Sequence, residues 1–131
     1  MKILLLIFLY IGLGSTQQIP SHLASSWTDI ASPFSEICIV ESKVDPVVVA
    51  NVFQNVPVDV EQSLRCYFKC LGEKMGLLLP SQQYDAEKFS QLLPHLTKAQ
   101  VYDCIDDHAS KTDICLKAYL ATNCIMGSSV S

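Results

Sequence analysis

The sequence predicts an all-α fold of about six helices that three disulfides cross-link. Apolar residues recur at intervals of three and four along two long segments, which is the period of a helix with one buried face. Residues typical of helix caps and turns separate the segments. All six cysteines lie between Cys38 and Cys124, and an even number in a short chain is typical of a disulfide framework.

The amino-terminal residues have the composition of a secretory leader. Lys2 precedes an apolar run over residues 3–13, and small residues follow up to Thr16. This order is typical of a signal peptide, and the run is shorter than the roughly 18 apolar residues of a membrane span. We expect a leader over residues 1–16, cleaved after Gly14 or Thr16, and one secreted, extracellular domain over residues 17–131 without stable membrane insertion.

The first two helices carry proline signals. A first helix is expected within residues 25–42, and Pro33 either begins it or kinks it. Asp45 followed by Pro46 has the order of an N-cap and a first-turn proline, which opens a short second helix. The three valines at 47–49 would suit a strand equally well.

The segment around Cys66 is the clearest helix in the chain. Asp59 is its expected cap and Gly76 its expected end. Its apolar residues recur at helical spacing: Val60, Leu64, Tyr67, Phe68, Leu71 and Met75.

Two shorter helices follow. Asp85 caps the fourth helix, and Tyr84 and Phe89 stand where a hydrophobic staple requires them. Thr97 with Gln100 forms a capping box that opens the fifth helix.

The last helix is expected over about residues 112–125, opened by Ser110 with Asp113 in a capping-box-like position. Apolar side chains surround it on nearly all sides, which predicts a central, buried helix.

Helix geometry restricts the disulfide pairing without fixing it. Cys66 and Cys70 lie one turn apart on one face, about 5–6 Å between Cβ atoms, which exceeds disulfide range. Cys115 and Cys124 lie on opposite sides of the last helix, roughly 13 Å apart along its axis. Excluding both pairs leaves about ten of the 15 conceivable pairings.

The cysteine spacing resembles that of a known family. The gaps between successive cysteines are 27, 3, 33, 10 and 8 residues, and residues 66–76 read Cys-Tyr-Phe-Lys-Cys-Leu-Gly-Glu-Lys-Met-Gly. Both features are similar to the six-cysteine insect odorant-binding proteins, the pheromone-binding and general odorant-binding type. The resemblance covers residues 17–131. It implies a compact bundle with three interlocked disulfides around a hydrophobic pocket, paired Cys38–Cys70, Cys66–Cys115 and Cys104–Cys124.

Two features depart from the family. Residues 77–83 replace the Asp-Gly turn that often follows the third helix, so the conformation of this loop is open. Only seven residues follow Cys124, too few for the carboxy-terminal helix that enters the pocket of long-tailed moth pheromone carriers. We expect this tail at most to cap an entrance.

The resemblance implies a carrier that binds and solubilises small hydrophobic ligands, such as odorants or pheromones, and delivers them to an odorant receptor as a monomer or weak homodimer. A secreted structural or signalling protein with a filled core, or a carrier of non-sensory lipophilic ligands, fits the apolar pattern as well. Tyr102 or Tyr119 could offer a hydrogen bond to a ligand oxygen. The candidate pocket residues are the inward positions Phe34, Ile37, Val49, Phe53, Leu64, Phe68, Leu71, Met75, Leu78, Phe89, Leu92, Val101, Ile105, Leu116, Tyr119 and Leu120.

Charge and motifs argue against other function classes. The formal net charge of −4 disfavours nucleic acid and anionic membrane surfaces as partners. Asp106, Asp107, His108 and Ser110 are adjacent in sequence but lack a nucleophile motif, and no cysteine or histidine spacing fits zinc. We therefore expect no enzyme activity, cofactor or metal.

His108 is the candidate pH switch. It shares a predicted helical stripe with Val101, Cys104 and Ile105, so charging it in mild acid would loosen that helix. The family resemblance implies ligand release in acid.

Overall fold

A computed structural model describes residues 17–58 and 60–130. The predicted leader and Asp59, the expected cap of the third helix, lie outside these residues. Within the described ranges, backbone pairing outside the helices is limited to isolated bridges, and no helix is both long and apolar enough to cross a membrane. The all-α prediction is confirmed, with six helices: α1 (Ser21–Ser42), α2 (Pro46–Ala50), α3 (Gln62–Lys74), α4 (Ala86–Gln91), α5 (Lys98–Asp106) and α6 (Ile114–Gly127).

Helix α1 begins earlier than expected and continues through Pro33. A proline has no N–H to donate, so the carbonyl of Asp29 loses its usual partner four residues later. The Ser32 hydroxyl donates to that carbonyl instead, at 3.0 Å. Pro33 therefore neither begins nor ends the helix, and the inward stripe of α1 extends back to Trp27 and Ala24.

The valines at 47–49 are helical, because the Asp45 carboxylate accepts from the Val47 N–H at 2.9 Å and Pro46 occupies the first turn. The strand alternative is wrong. The chain instead makes a short antiparallel contact nearby, where Ile19 N–H donates to the Gln54 carbonyl at 2.9 Å.

Helix α3 ends as expected at Gly76, which has φ of 72°. The N–H groups of Leu77 and Leu78 both donate to the Gly72 carbonyl, which closes the helix with a left-handed glycine. At its other end α3 is capped by Glu61 without a side-chain hydrogen bond.

The caps of α4 and α5 are confirmed. Asp85 accepts from the Lys88 N–H at 3.1 Å, the rings of Tyr84 and Phe89 lie 5.5 Å apart, and Thr97 completes a reciprocal capping box.

The expected start of α6 needs correction. Asp113, not Ser110, is the N-cap, and it accepts from the N–H groups of both Cys115 and Leu116. One carboxylate satisfies two free donors, so no earlier cap is needed.

The disulfides join four of the helices into one unit. Cys38–Cys70 links α1 to α3, Cys66–Cys115 links α3 to α6, and Cys104–Cys124 links α5 to α6. This pairing is the one that the family resemblance implies. The α3–α6 contact is the most extensive between helices, and α1–α3 is next, so α3 lies at the centre of the bundle together with α6.

The Cys66–Cys115 bond should contribute most to stability, because it closes the longest loop, 49 residues. In a chain-entropy model such a loop corresponds to about 4 kcal/mol. We expect Cys66→Ala with Cys115→Ala to lower the free energy of unfolding by about that amount, measured by urea denaturation. Cys104→Ala with Cys124→Ala, which opens a loop of 20 residues, is the control and should cost less. The reverse order would contradict this account.

Candidate ligand cavity

A cavity of ≈ 100 Å³, partly open to solvent, lies among four of the helices and the loop that follows α3. Its walls are almost entirely apolar, and α1, α3 and α6 each contribute three residues, whereas α4 contributes one. The lining residues are Trp27, Ile30, Ala31, Phe53, Phe68, Leu71, Gly72, Met75, Leu77, Tyr84, Phe89, Leu92, Leu93, Thr122, Ile125 and Met126.

All predicted pocket residues except Ile37 fall into three groups by position. Six line the cavity: Phe53, Phe68, Leu71, Met75, Phe89 and Leu92. Four are buried elsewhere: Leu64, Leu78, Val101 and Ile105. Five are partly buried away from the cavity: Phe34, Val49, Leu116, Tyr119 and Leu120.

The prediction that Ile37 points inward is wrong, because Ile37 is 52% exposed. The buried stripe of α1 runs through Trp27, Ala31 and Cys38, and Ile37 stands about 100° around the helix from Cys38.

Ten lining residues were not predicted. Trp27, Ile30 and Ala31 precede Pro33, and treating that proline as a possible helix start removed them from the inward face. Thr122, Ile125 and Met126 lie at the end of α6, whose apolar character on nearly all sides hid which side faces the cavity. The helical spacing of Trp27 and Ala31 with Cys38 was the signal that could have found the α1 wall.

A second, wider groove of ≈ 450 Å³ lies between α2, the following loop and the start of α3. Its walls include the polar side chains of Asp45, Asn51, Asn55 and Glu61, and Leu64 is its single predicted residue. An apolar molecule gains little by displacing water from carboxylates and amides. The smaller apolar cavity is therefore the better candidate site.

The loop after α3 is held by a buried cation. Lys117 on α6 is only 2% exposed, and its ammonium donates to the Gln82 carbonyl at 2.6 Å and to Gln83 Oε1 at 3.1 Å. Burial lowers the pKa of Lys117. Because this loop joins Leu77 to Tyr84, the Lys117 contacts fix two residues of the cavity wall.

The carboxy-terminal tail packs against the bundle. Ser129 is buried, and its hydroxyl donates to the Ile125 carbonyl at 2.9 Å. Since that uses its only proton, its oxygen must accept from His95 Nε2–H, also at 2.9 Å. The centroid of the His95 ring lies 5.9 Å from that of Trp27, which lines the cavity. The tail thus reaches the rim of the cavity through His95.

His108 lies in the turn after α5, not on the helix, and it is partly buried. Its Nδ1 is buried and has no hydrogen-bond partner within the described part of the chain.

The described part of the chain contains no cluster of acidic, histidine or cysteine side chains that could hold a metal ion.

A family model described as the PBP/GOBP family matches residues 22–128. The chain belongs to this family, the insect pheromone-binding and general odorant-binding proteins. Neither the curated proteins nor the solved structures give a significant match.

PBP/GOBP proteins are secreted, extracellular binding proteins rather than enzymes, and they carry small odorant or pheromone molecules. The PBP/GOBP match covers all six helices except the first residue of α1, so the cavity walls all belong to the family domain.

Replacing Lys117 should loosen the wall loop. Lys117→Met keeps the apolar stem but leaves the Gln82 carbonyl without its partner, at an expected cost of about 1–3 kcal/mol. We expect faster amide hydrogen exchange over residues 79–84 than in the unaltered protein. Lys111→Met, at an exposed lysine, is the matched control and should change neither the stability nor the rate of amide hydrogen exchange. Equal exchange in both variants would show that Lys117 does not hold the loop.

Proposed function

We propose that this protein is a secreted carrier that shelters one small hydrophobic molecule in the cavity between α1, α3, α4 and α6. The observation that carries the proposal is the apolar lining itself, with sixteen residues from separate elements surrounding one space. A filled core would leave no such space. Family membership supports a small-molecule ligand of the odorant or pheromone kind.

Burial of apolar ligand surface supports an affinity of modest strength. A ligand that buries about 300 Å² of apolar surface gains about 7 kcal/mol, which corresponds to a dissociation constant near 10 µM before ordering costs. At ≈ 100 Å³ the empty cavity accepts only a few heavy atoms, so a larger ligand requires side chains to move. Met75 and Met126 in the wall are unbranched and flexible, which suits such adjustment.

We further propose that residues 1–16 form the leader that directs secretion, and that the loaded carrier delivers its ligand to an odorant receptor. The acidic charge and the family membership support an extracellular, water-soluble role.

Filling the cavity should abolish binding. Ala31 is 4% exposed in the wall, so Ala31→Phe places a ring in the space where the ligand would lie. We expect its affinity for a fluorescent apolar dye to fall about tenfold or more, because a ring there removes the apolar contacts of a bound dye. Ala99→Phe, on the exposed side of α5, is the control and should bind like the unaltered protein. Quenching of Trp27, the only tryptophan, reports occupancy directly.

Saturable dye binding that competitors displace is the expected result in the unaltered protein. Its absence would favour a structural or signalling protein with a filled core.

Binding and stability should weaken in mild acid. Partial burial, with His22 nearby, lowers the pKa of His95 below its usual value of about 6.5. As the pH falls below about 6.5, the His95 imidazole is protonated in the unfolded chain before it is protonated in the folded protein. The free energy of unfolding therefore decreases as the pH falls below about 6.5, and it does not change above that pH. We expect a lower melting temperature and weaker dye binding at pH 5 than at pH 7.4, and a smaller difference in His95→Gln.

His108 is proposed as a second contributor. A proton on its buried Nδ1 would find no acceptor among the described residues, so charging His108 should strain the turn after α5. His108→Gln tests this separately from His95→Gln. Dye binding that is unchanged between pH 7.4 and pH 5 would refute both contributions.

A further inference from the structure

The cavity wall contains very few polar atoms, and three of them lack a partner. The indole N–H of Trp27 and the hydroxyls of Tyr84 and Thr122 make no hydrogen bond to any described residue, although all three side chains line the cavity. None is sealed from a solvent-sized molecule, because the fully enclosed unpartnered atoms in the described chain are confined to Arg65 and His108.

The tyrosines that sequence reasoning favoured are already engaged elsewhere. The Tyr119 hydroxyl donates to the Pro57 carbonyl at 3.3 Å, and the Tyr102 hydroxyl donates to Glu87 at 3.0 Å on the exposed face of α5. Neither residue lines the cavity. Among these three tyrosines, Tyr84 is the one that lines the cavity and whose hydroxyl has no hydrogen-bond partner among the described residues.

Tyr84 lies beside Gly72 of α3. A Cβ at Gly72 would lie 3.6 Å from the Tyr84 hydroxyl oxygen, which is an ordinary contact distance, and a tighter 3.3 Å from the Leu78 Cβ. The phenol end of Tyr84 therefore lies close to the α3 backbone, and both residues line the cavity. Tyr84 is 8% exposed and its ring packs against that of Phe89 at an interplanar angle of 51°, so the ring is held in place.

We propose that the Tyr84 hydroxyl is the specificity-determining contact of the cavity, which selects apolar molecules carrying one oxygen over hydrocarbons of the same size. The inference rests on the proposed carrier function and identifies the chemistry of its ligand. A phenol both donates and accepts, so it serves an alcohol, an aldehyde or an ester oxygen.

The other two polar groups are weaker candidates. Thr122 lies within α6, where a threonine hydroxyl can turn back to the carbonyl four residues earlier. Trp27 can only donate, so it cannot accept the proton of an alcohol. Burial and the nearby Glu73 carboxylate raise the pKa of Tyr84, so its hydroxyl keeps its proton and remains a donor at any physiological pH.

The test compares ligands that differ by one polar group. Toluene, benzyl alcohol and benzaldehyde have nearly the same size, and their displacement of the fluorescent dye gives three dissociation constants for each protein. Tyr84→Phe removes only the hydroxyl, so we expect binding of benzyl alcohol and benzaldehyde to weaken about fivefold. The toluene constant should change less than twofold. Tyr102→Phe removes a hydroxyl outside the cavity, so it is the matched control and should leave all three constants within twofold. Thr122→Val removes the other hydroxyl of the wall and should not reproduce the selective loss.

A second measurement uses the unaltered protein and so does not depend on a variant that folds. With tyrosine labelled at Cζ, the Tyr84 resonance should shift on addition of benzaldehyde and not on addition of toluene. The inference is overturned if Tyr84→Phe changes the three constants by one common factor, if Thr122→Val alone causes the selective loss, or if both ligands shift the Tyr84 resonance equally.

Failure of the carrier proposal has a different signature. In that case none of the three compounds displaces the dye from the unaltered protein. The inference about Tyr84 then fails together with the carrier proposal. Binding of all three without discrimination by Tyr84→Phe would leave the carrier function standing and remove only the specificity contact.

Discussion

The structure depends on the double anchoring of α3. One turn of this helix carries both Cys66 and Cys70, and their bonds lead to α6 on one side and to α1 on the other. Two residues one turn apart share a face but cannot bond to each other, so each needs a partner cysteine elsewhere, and here the two partners lie on different helices. Those same three helices provide most of the rigid wall of the cavity. The crosslinks therefore fix the relative positions of the three helices that surround the cavity.

The remaining wall is of a different kind. The loop between α3 and α4 contains no disulfide, and Gln82 adopts a φ of 67° within it. Its hold on the bundle is the buried ammonium of Lys117, which meets a carbonyl and an amide oxygen. Neutral acceptors compensate a buried charge only in part, so this contact is weaker than a covalent bond. The site thus combines a wall of three disulfide-linked helices with a loop wall that hydrogen bonds hold, and Tyr84 lies on the loop wall.

Local sequence signals predicted the helices of the fold, but the cavity walls depend on long-range packing that such signals do not define. Asp45, Asp85 and Thr97 each act on backbone N–H groups two or three residues away, so their sequence pattern alone defines the helix starts. The disulfide pairing came from the family resemblance, since geometry left several pairings open. Ten of the sixteen lining residues escaped prediction because the walls of the cavity depend on long-range packing. Lys117 shows why: a lysine in an apolar helix indicates an exposed face, and only the loop of residues 77–83 folded over it makes burial possible.

The magnitudes explain how such a small protein tolerates a hollow. An empty cavity of ≈ 100 Å³ costs about 2–3 kcal/mol at roughly 24 cal/mol per Å³. One disulfide closing a loop of 32 residues contributes about 4 kcal/mol in the chain-entropy model. A single crosslink therefore offsets the loss of packing, and a bound apolar molecule restores the missing contacts. Since stabilisation by the crosslinks does not depend on what fills the interior, the fold can tolerate incomplete packing among lining residues that also belong to its core.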